Sequence, residues 1–491
     1  MKKLNQLNFE NTFIGLSANF HTPLNPTPLP QPYLVSFNPS AAQLIDLDLA
    51  EAGRDDFVEY FIGNKLLPGA EPLAMLYAGH QFGRFVPQLG DGRAILLGEI
   101  RNRAGELWDV QLKGAGLTPY SRDGDGRAVL RSCIREYLCS EAMHGLGIPT
   151  SRALCIVGSD EKIYRECIET AAVLTRLAPS HVRFGSFEVF FHRQQYDHLT
   201  TLADYVIARH FPEYTNTAGS EKYLKFLSEV TARTAQLMAQ WQAVGFAHGV
   251  MNTDNMSILG LTFDYGPFGF MEAYDPGYIC NYTDTHGRYA FNQQPQVGLW
   301  NLTRLANALS PLIPAESAQT IMDSYAPTFF QHYTQLMSAK LGLSKAAQAD
   351  TQLISTLLKM IQTSQLDYTN FFRSLSDFDT APDALNSSLR DQFIDRDAFD
   401  AWAASYRARL QREPQTDSER KSRMNRINPK YILRNYLAQI AIEKAVQQRD
   451  FSEINRLLNL LGKPFDEQPK MESYAAPSPE WAKCIKVSCS S

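Results

Sequence analysis

A chain of 491 residues is too long for one small core and calls for two lobes or domains. Hydrophobic residues at 44% and charged residues at 20% are the balance of an ordinary globular protein. A net charge of −5 argues against a dedicated nucleic-acid binder, and no apolar run of about 18 residues is present to span a membrane. The opening Met1-Lys2-Lys3-Leu4-Asn5 leads into polar sequence rather than an apolar signal core, so a cytoplasmic, bacterial setting is expected.

Residues 1–70 are rich in Pro and Asn, and Pro23, Pro26, Pro28, Pro30 and Pro32 block helix. They read as an extension wrapped on a domain. Residues 94–100 and 108–113 read as strands around the turn signal Asn102-Arg103-Ala104-Gly105, which predicts a hairpin. A helix is predicted over 129–146, with Ile134, Leu138, Ala142 and Leu146 on one face and Gly145, Gly147 and Pro149 stopping it. Short strands follow near 153–157 and 172–177. Beyond about residue 198 the pattern turns helical, at 199–210, 223–244, 299–341, 352–361 and 429–448. The expected architecture is an α+β fold of two unequal lobes with a cleft between them. Its parts are the extension (1–70), a strand-rich N-lobe (71–197), a helical C-lobe (198–470) and a tail (471–491).

Several groups carry chemistry. In Gln88-Leu89-Gly90-Asp91-Gly92-Arg93, two glycines let backbone amides approach a phosphate and Arg93 adds charge. The same Asp-Gly pair is also a common hairpin turn. Ser121-Arg122-Asp123-Gly124-Asp125-Gly126-Arg127 repeats the Gly/Arg chemistry, or is a flexible loop with an Asp cap. Lys113 on a strand and Glu136 on the next helix could form an ion pair that aims the lysine at phosphate oxygens; from spacing alone, two unrelated surface charges is the favoured reading. Arg176 and Arg183 offer guanidinium forks for phosphate, or are surface charges. The strongest group is His248-Gly249-Val250-Met251-Asn252-Thr253-Asp254-Asn255, then Phe263-Asp264-Tyr265-Gly266. Asp254, Asn255 and Asp264 supply the oxygen ligands that Mg²⁺ prefers. None of the seven cysteines forms a C-x-x-C pair, so a zinc site of that kind is not expected.

Together these pieces resemble a protein kinase: Gly-rich hairpin, strand lysine, helix glutamate, catalytic loop and a D-F-G-like Asp264-Tyr265-Gly266, in that order. Asn255 follows His248 by seven positions, as in the kinase loop, but Val250 stands where a kinase has its catalytic Asp. Gly79-His80-Gln81-Phe82-Gly83, Gln88 through Arg93, the run from Leu112 to Arg122 and the run from His248 to Ser257 are similar to the SelO, or YdiU, family. The similarity extends from about residue 15 to the C-terminal Cys-Ser-Ser.

That resemblance implies a kinase-like fold binding ATP in a flipped orientation, with AMP passed to Ser, Thr or Tyr hydroxyls of proteins and pyrophosphate released. It implies that Lys113, held by Glu136, contacts phosphates. Gly90, Gly92, Arg93, Asp125, Gly126, Arg176 and Arg183 line the nucleotide pocket. Asn255 and Asp264 bind Mg²⁺ or Mn²⁺, Asp264 also lies close to the nucleotide, and Asp254 accepts the proton. A reversible Cys280–Cys489 disulfide, with Cys484 as the alternative partner, is the redox hypothesis it suggests. UMP transfer from UTP with Mn²⁺, a conventional kinase and a nucleotide-binding scaffold are the competing readings. A monomer is the default for such an architecture; protein substrates, not nucleic acid or membrane, are the expected partners.

Overall fold

The run Ala94-Ile95-Leu96-Leu97 lacks the polar alternation of a half-exposed strand because the sheet it joins is covered on both faces. The computed structural model describes residues 1–347 and 349–488. Its first part contains strands β1 (His21–Pro23), β2 (Tyr33–Phe37), β3 (Leu73–Met75), β4 (Gly79–Gln81), β5 (Arg84–Val86), β6 (Ala94–Arg101), β7 (Leu107–Lys113), β8 (Ala128–Val129), β9 (Arg152–Tyr164) and β10 (Ile168–Ala178). All but β4 and β5 form one antiparallel sheet in the order β1-β3-β6-β7-β10-β9-β2, with β8 on β10. β4 and β5 make a separate hairpin.

Alternate residues of each strand feed two cores, as the two-residue period of a strand requires. Ile95, Leu97, Val110, Leu112 and Val173 point into one, shared with Leu4, Leu29, Ile45, Leu47, Phe57 and Phe61 of the first seventy residues. Those residues include the short helices α1 (Pro39–Leu44) and α2 (Phe57–Phe61). Leu96, Ala172 and Leu174 point the other way, onto Ile134, Tyr137 and Leu138 of α3 (Leu130–Gly145). The Pro-rich segment therefore contributes strands to the sheet and a hydrophobic cover for its outer face.

After β10 the chain is helical. α4 (Phe184–His192), α5 (Tyr196–His210) and α6 (Glu221–Val244) lead to the small strand pair β11 (Phe246–Ala247) and β12 (Gly269–Phe270). The catalytic-loop sequence and Asp264 lie between those two strands. The expected helix over 299–341 is three: Gln294–Ala308, Ala315–Asp323 and Tyr325–Lys340. The one expected from 429 starts at Asn435, because Tyr431, Ile432 and Leu433 are buried as an extended lead-in. Arg434, at its N-terminus, is tied by its side chain to Asp367 and Glu272. Among the described residues no helix is long and apolar enough to cross a membrane.

Candidate active site

The open end of the sheet and the loop after α6 face each other across a cleft of about 710 Å³, a size typical of small-molecule sites. Its floor is an ionic network. Lys113 ends β7, between Ala94 of β6 and Leu174 of β10, and its ammonium is paired with Glu136 Oε2 of α3. Arg176 of β10 donates to the other Glu136 oxygen at 3.0 Å and to Gln111 Oε1 at 3.1 Å. Both cations turn toward Asp264: Arg176 is paired with its Oδ1, which Lys113 Nζ approaches to 3.9 Å. Arg183 Nη1 binds Asp264 Oδ2 at 2.7 Å and also donates to the Asp254 carbonyl at 2.9 Å. Its guanidinium lies over the Tyr77 ring at 4.4 Å and the Phe263 ring at 4.7 Å.

Burial alone would raise the Asp264 carboxyl; Arg176, Arg183 and Lys113 outweigh it and hold the group well below the usual carboxylate range. Burial lowers the Lys113 ammonium, against the opposing pull of Glu136. Asp264 also has a left-handed backbone, φ 58°, which Asp and Asn tolerate better than other side chains.

Asp254 sits in the short 3-10 turn Thr253–Asn255. Burial pushes its carboxyl up to about 6, opposed by a hydrogen bond from Gln81 and by Arg183. Gln81 Nε2 donates to Oδ2 at 3.1 Å, while Oδ1 is buried without a hydrogen-bond partner. Asn255 donates its Nδ2 to the Val250 carbonyl at 3.0 Å, which leaves the amide oxygen as its remaining acceptor. The Asn255 amide oxygen and the Asp264 carboxylate are oxygen donors that fit a hard divalent cation, while the orphaned Asp254 oxygen is left free to accept a proton.

Gly90, Gly92, Arg93, Lys113, Asp125, Gly126, Arg176, Asp254, Asn255 and Asp264 all line this one cleft. Gly90 is required there: its φ is 133°, and a Cβ would stand 2.5 Å from the Tyr120 ring. Asp125 is at the rim, where Arg165 clamps its carboxylate at 2.7 and 2.9 Å. Glu136 and Arg183 do not form the lining; they are buried behind it and hold Lys113, Arg176 and Asp264 in place. Cys280 is buried, with its Sγ 2.9 Å from the Pro267 carbonyl. Two residues on, Tyr282 N donates to Val487 O at 2.8 Å, so the tail runs beside this loop. Cys484 is exposed, and Cys489 lies outside the described residues.

Residue-level reading missed the β4–β5 hairpin as a docking element for the catalytic loop. His80 N donates to Thr253 Oγ1 at 2.7 Å, Gln81 to Asp254, and Phe82 N to Asn252 Oδ1 at 3.1 Å. A Cβ on Gly79 would meet Asp254 Oδ1 at 2.8 Å, so only glycine allows this approach. The sole signal was the Gly-His-Gln-Phe-Gly string itself. Gln81 is a positioning residue, and a hydrogen bond to a charged group is worth about 1.5–3 kcal/mol. Gln81→Leu is expected to slow catalysis at this site about ten- to a hundredfold with only a small fall in melting temperature. Steady-state kinetics beside thermal denaturation checks this, and Gln81→Asn is expected to recover none of the rate because its amide falls short.

A family profile described as protein adenylyltransferase SelO matches residues 3–461. The chain belongs to the SelO family. A Thiobacillus denitrificans protein named protein nucleotidyltransferase YdiU is 59% identical over 491 residues, covering 100% of both chains. A Myxococcus xanthus protein of the same name is 55% identical over 491 residues, again with 100% of both covered. One from Herminiimonas arsenicoxydans is 55% identical over 493 residues, with 99% of this chain and 98% of its own covered. Membership of the SelO family makes this chain a protein nucleotidyltransferase, an enzyme that takes a nucleotide substrate and uses a divalent metal.

Proposed function

We propose that this SelO-family enzyme is built like a protein kinase, strand-rich lobe over helical lobe, and transfers AMP from ATP to Ser, Thr or Tyr hydroxyls of proteins. The observation that carries the reading is the charge layout of one cleft. Lys113, Arg176 and Arg183 converge on Asp264, while Asp254 presents an unpartnered, buried oxygen. Val250, where a phosphoryl-transferring kinase has its base, also lines the cleft and is apolar.

Lys113, Arg93 and Arg176 hold the phosphates, with Glu136 and Arg183 keeping them aimed. The loops at Gly90, Gly92, Asp125 and Gly126 admit the nucleotide close to backbone. Asn255 and Asp264 hold Mg²⁺ or Mn²⁺, which when bound supplies positive charge to the phosphate oxygens. The acceptor hydroxyl oxygen forms a bond to the α-phosphorus, the bond from that phosphorus to the bridging oxygen breaks, and pyrophosphate leaves with that electron pair. Asp254 takes the hydroxyl proton. Preorganised cations at the site of developing charge are the main rate-raising element of such a reaction.

Incubating the enzyme and a protein acceptor with α-labelled or γ-labelled ATP, in Mg²⁺ or Mn²⁺, tests this. Label is expected on protein from the α position only. Label from the γ position establishes a kinase instead, and stronger labelling from UTP with Mn²⁺ establishes UMP transfer. The course of the tail beside Tyr282 supports a redox tether from Cys280 to Cys489. Non-reducing peptide mapping that recovers both thiols unlinked under oxidising conditions removes that part.

A further inference from the structure

Outside the nucleotide cleft, His80, Glu188 and His192 form a cluster with metal-ligating chemistry. Glu188 and His192 stand four residues apart on α4, about one turn, so their side chains share a face. The β4–β5 hairpin lays His80 against that face. One ligand atom from each of the three residues lies within 4.8 Å of the others. Two imidazoles and one carboxylate, with a position left for water, is a donor set that Zn²⁺ takes in open sites.

The surroundings suit an ion. Glu188 is buried, His80 half-buried and His192 exposed, so the cluster runs from the interior out to solvent. Phe85 lies against the His192 ring at 3.8 Å and Trp300 against His80 at 5.3 Å, which fixes both imidazole planes. His80 Nδ1 and Glu188 Oε1 are 2.6 Å apart in a hydrogen bond that an ion would replace. The second Glu188 oxygen accepts from Thr253 Oγ1, in the manner of the outer hydrogen bonds that steady metal-bound carboxylates. Arg288 and Arg304 stack on Trp300. With one carboxylate in a positive neighbourhood, a hard ion held by charge gains little, whereas a borderline ion gains two imidazole bonds.

We propose that His80, Glu188 and His192 form a second metal site that takes Zn²⁺ or a similar borderline divalent cation, separate from the nucleotide-bound metal. Through Glu188 and Thr253 the ion is linked to the turn that carries Asp254, so the site reports on and stiffens the catalytic loop.

The test uses the full chain, stripped of metal and titrated with ZnCl₂ in excess MgCl₂ by calorimetry and thermal denaturation. One Zn²⁺ per chain is expected, with a raised melting temperature, in the wild type and equally in Asp264→Asn. His192→Ala removes an exposed ligand without disturbing the fold and is expected to weaken binding more than about tenfold. Zinc-edge diffraction of the loaded crystal is expected to place the ion among the three side chains. Undiminished affinity in His192→Ala, loss of zinc in Asp264→Asn, or no zinc bound by the wild type overturns the proposal.

Discussion

Asp264→Asn is expected to cut nucleotidyl transfer at least about a thousandfold, the scale of losing one centre of transition-state charge stabilisation, while the chain still folds. Asparagine keeps the left-handed backbone at φ 58°, where alanine would add strain. What it removes is the negative charge on which Lys113, Arg176 and Arg183 converge. Breaking a buried pair costs about 3–5 kcal/mol. The Asp264 side chain is 19% exposed and the amide oxygen still accepts one guanidinium bond, so the loss of stability sits at the lower end of that range and the melting temperature falls with it. The unpaired arginines then favour phosphate. Metal-free ATP is therefore expected to raise the melting temperature of Asp264→Asn more than that of the wild type. Activity within tenfold of wild type, measured by α-label transfer, would falsify the assignment of Asp264 to the reaction.

Asp254→Asn is expected to move activity and stability in opposite directions. Losing a general base costs about 10²–10⁴-fold, and the fall belongs in kcat, since Asp254 has no part in holding phosphate. Stability follows the carboxyl that burial raises from 3.8 to about 6. The folded chain keeps this proton to higher pH than the unfolded chain does, so stability declines as pH rises from 3.8 to about 6 and the cost is full above that window. A neutral amide escapes the cost. At pH 7.5, without metal, the variant is expected to be more stable by up to about 3 kcal/mol. At pH 4 the two proteins should melt nearly together. A variant that is both active and no more stable would remove Asp254 from the role of proton acceptor.

The β6–β7 hairpin and α3 were legible because each is local, a turn between apolar runs and a helical stripe, whereas the Lys113–Glu136 pair, 23 residues apart, was expected only through the resemblance. The catalytic loop and Asp264 were legible as an ordered set of motifs. Depth was not. Arg183 reads as one more cationic pocket residue, yet aromatic faces of Tyr77 and Phe263 hold it behind the cleft wall. α4 escaped notice because every residue from Phe184 to Phe190 is buried and only its last turn reaches solvent; a helix so covered leaves no amphipathic period to read. The roles of β1 and β2 depend on partners far along the chain, Leu73–Met75 and Arg152–Tyr164. Gln81 reaches Asp254 across 173 residues. No window of local sequence contains such contacts.

The outer covering of the sheet has a consequence for biosynthesis. Phe57, Phe61, Ile45 and Leu47 share their core with Val110, Leu112 and Val173, so the lid leaves the ribosome before the vessel it closes. At roughly 5–20 residues per second, the delay until the last strand emerges is roughly 5–20 seconds. Throughout it these side chains stay wet and sticky, a natural window for a chaperone's grip.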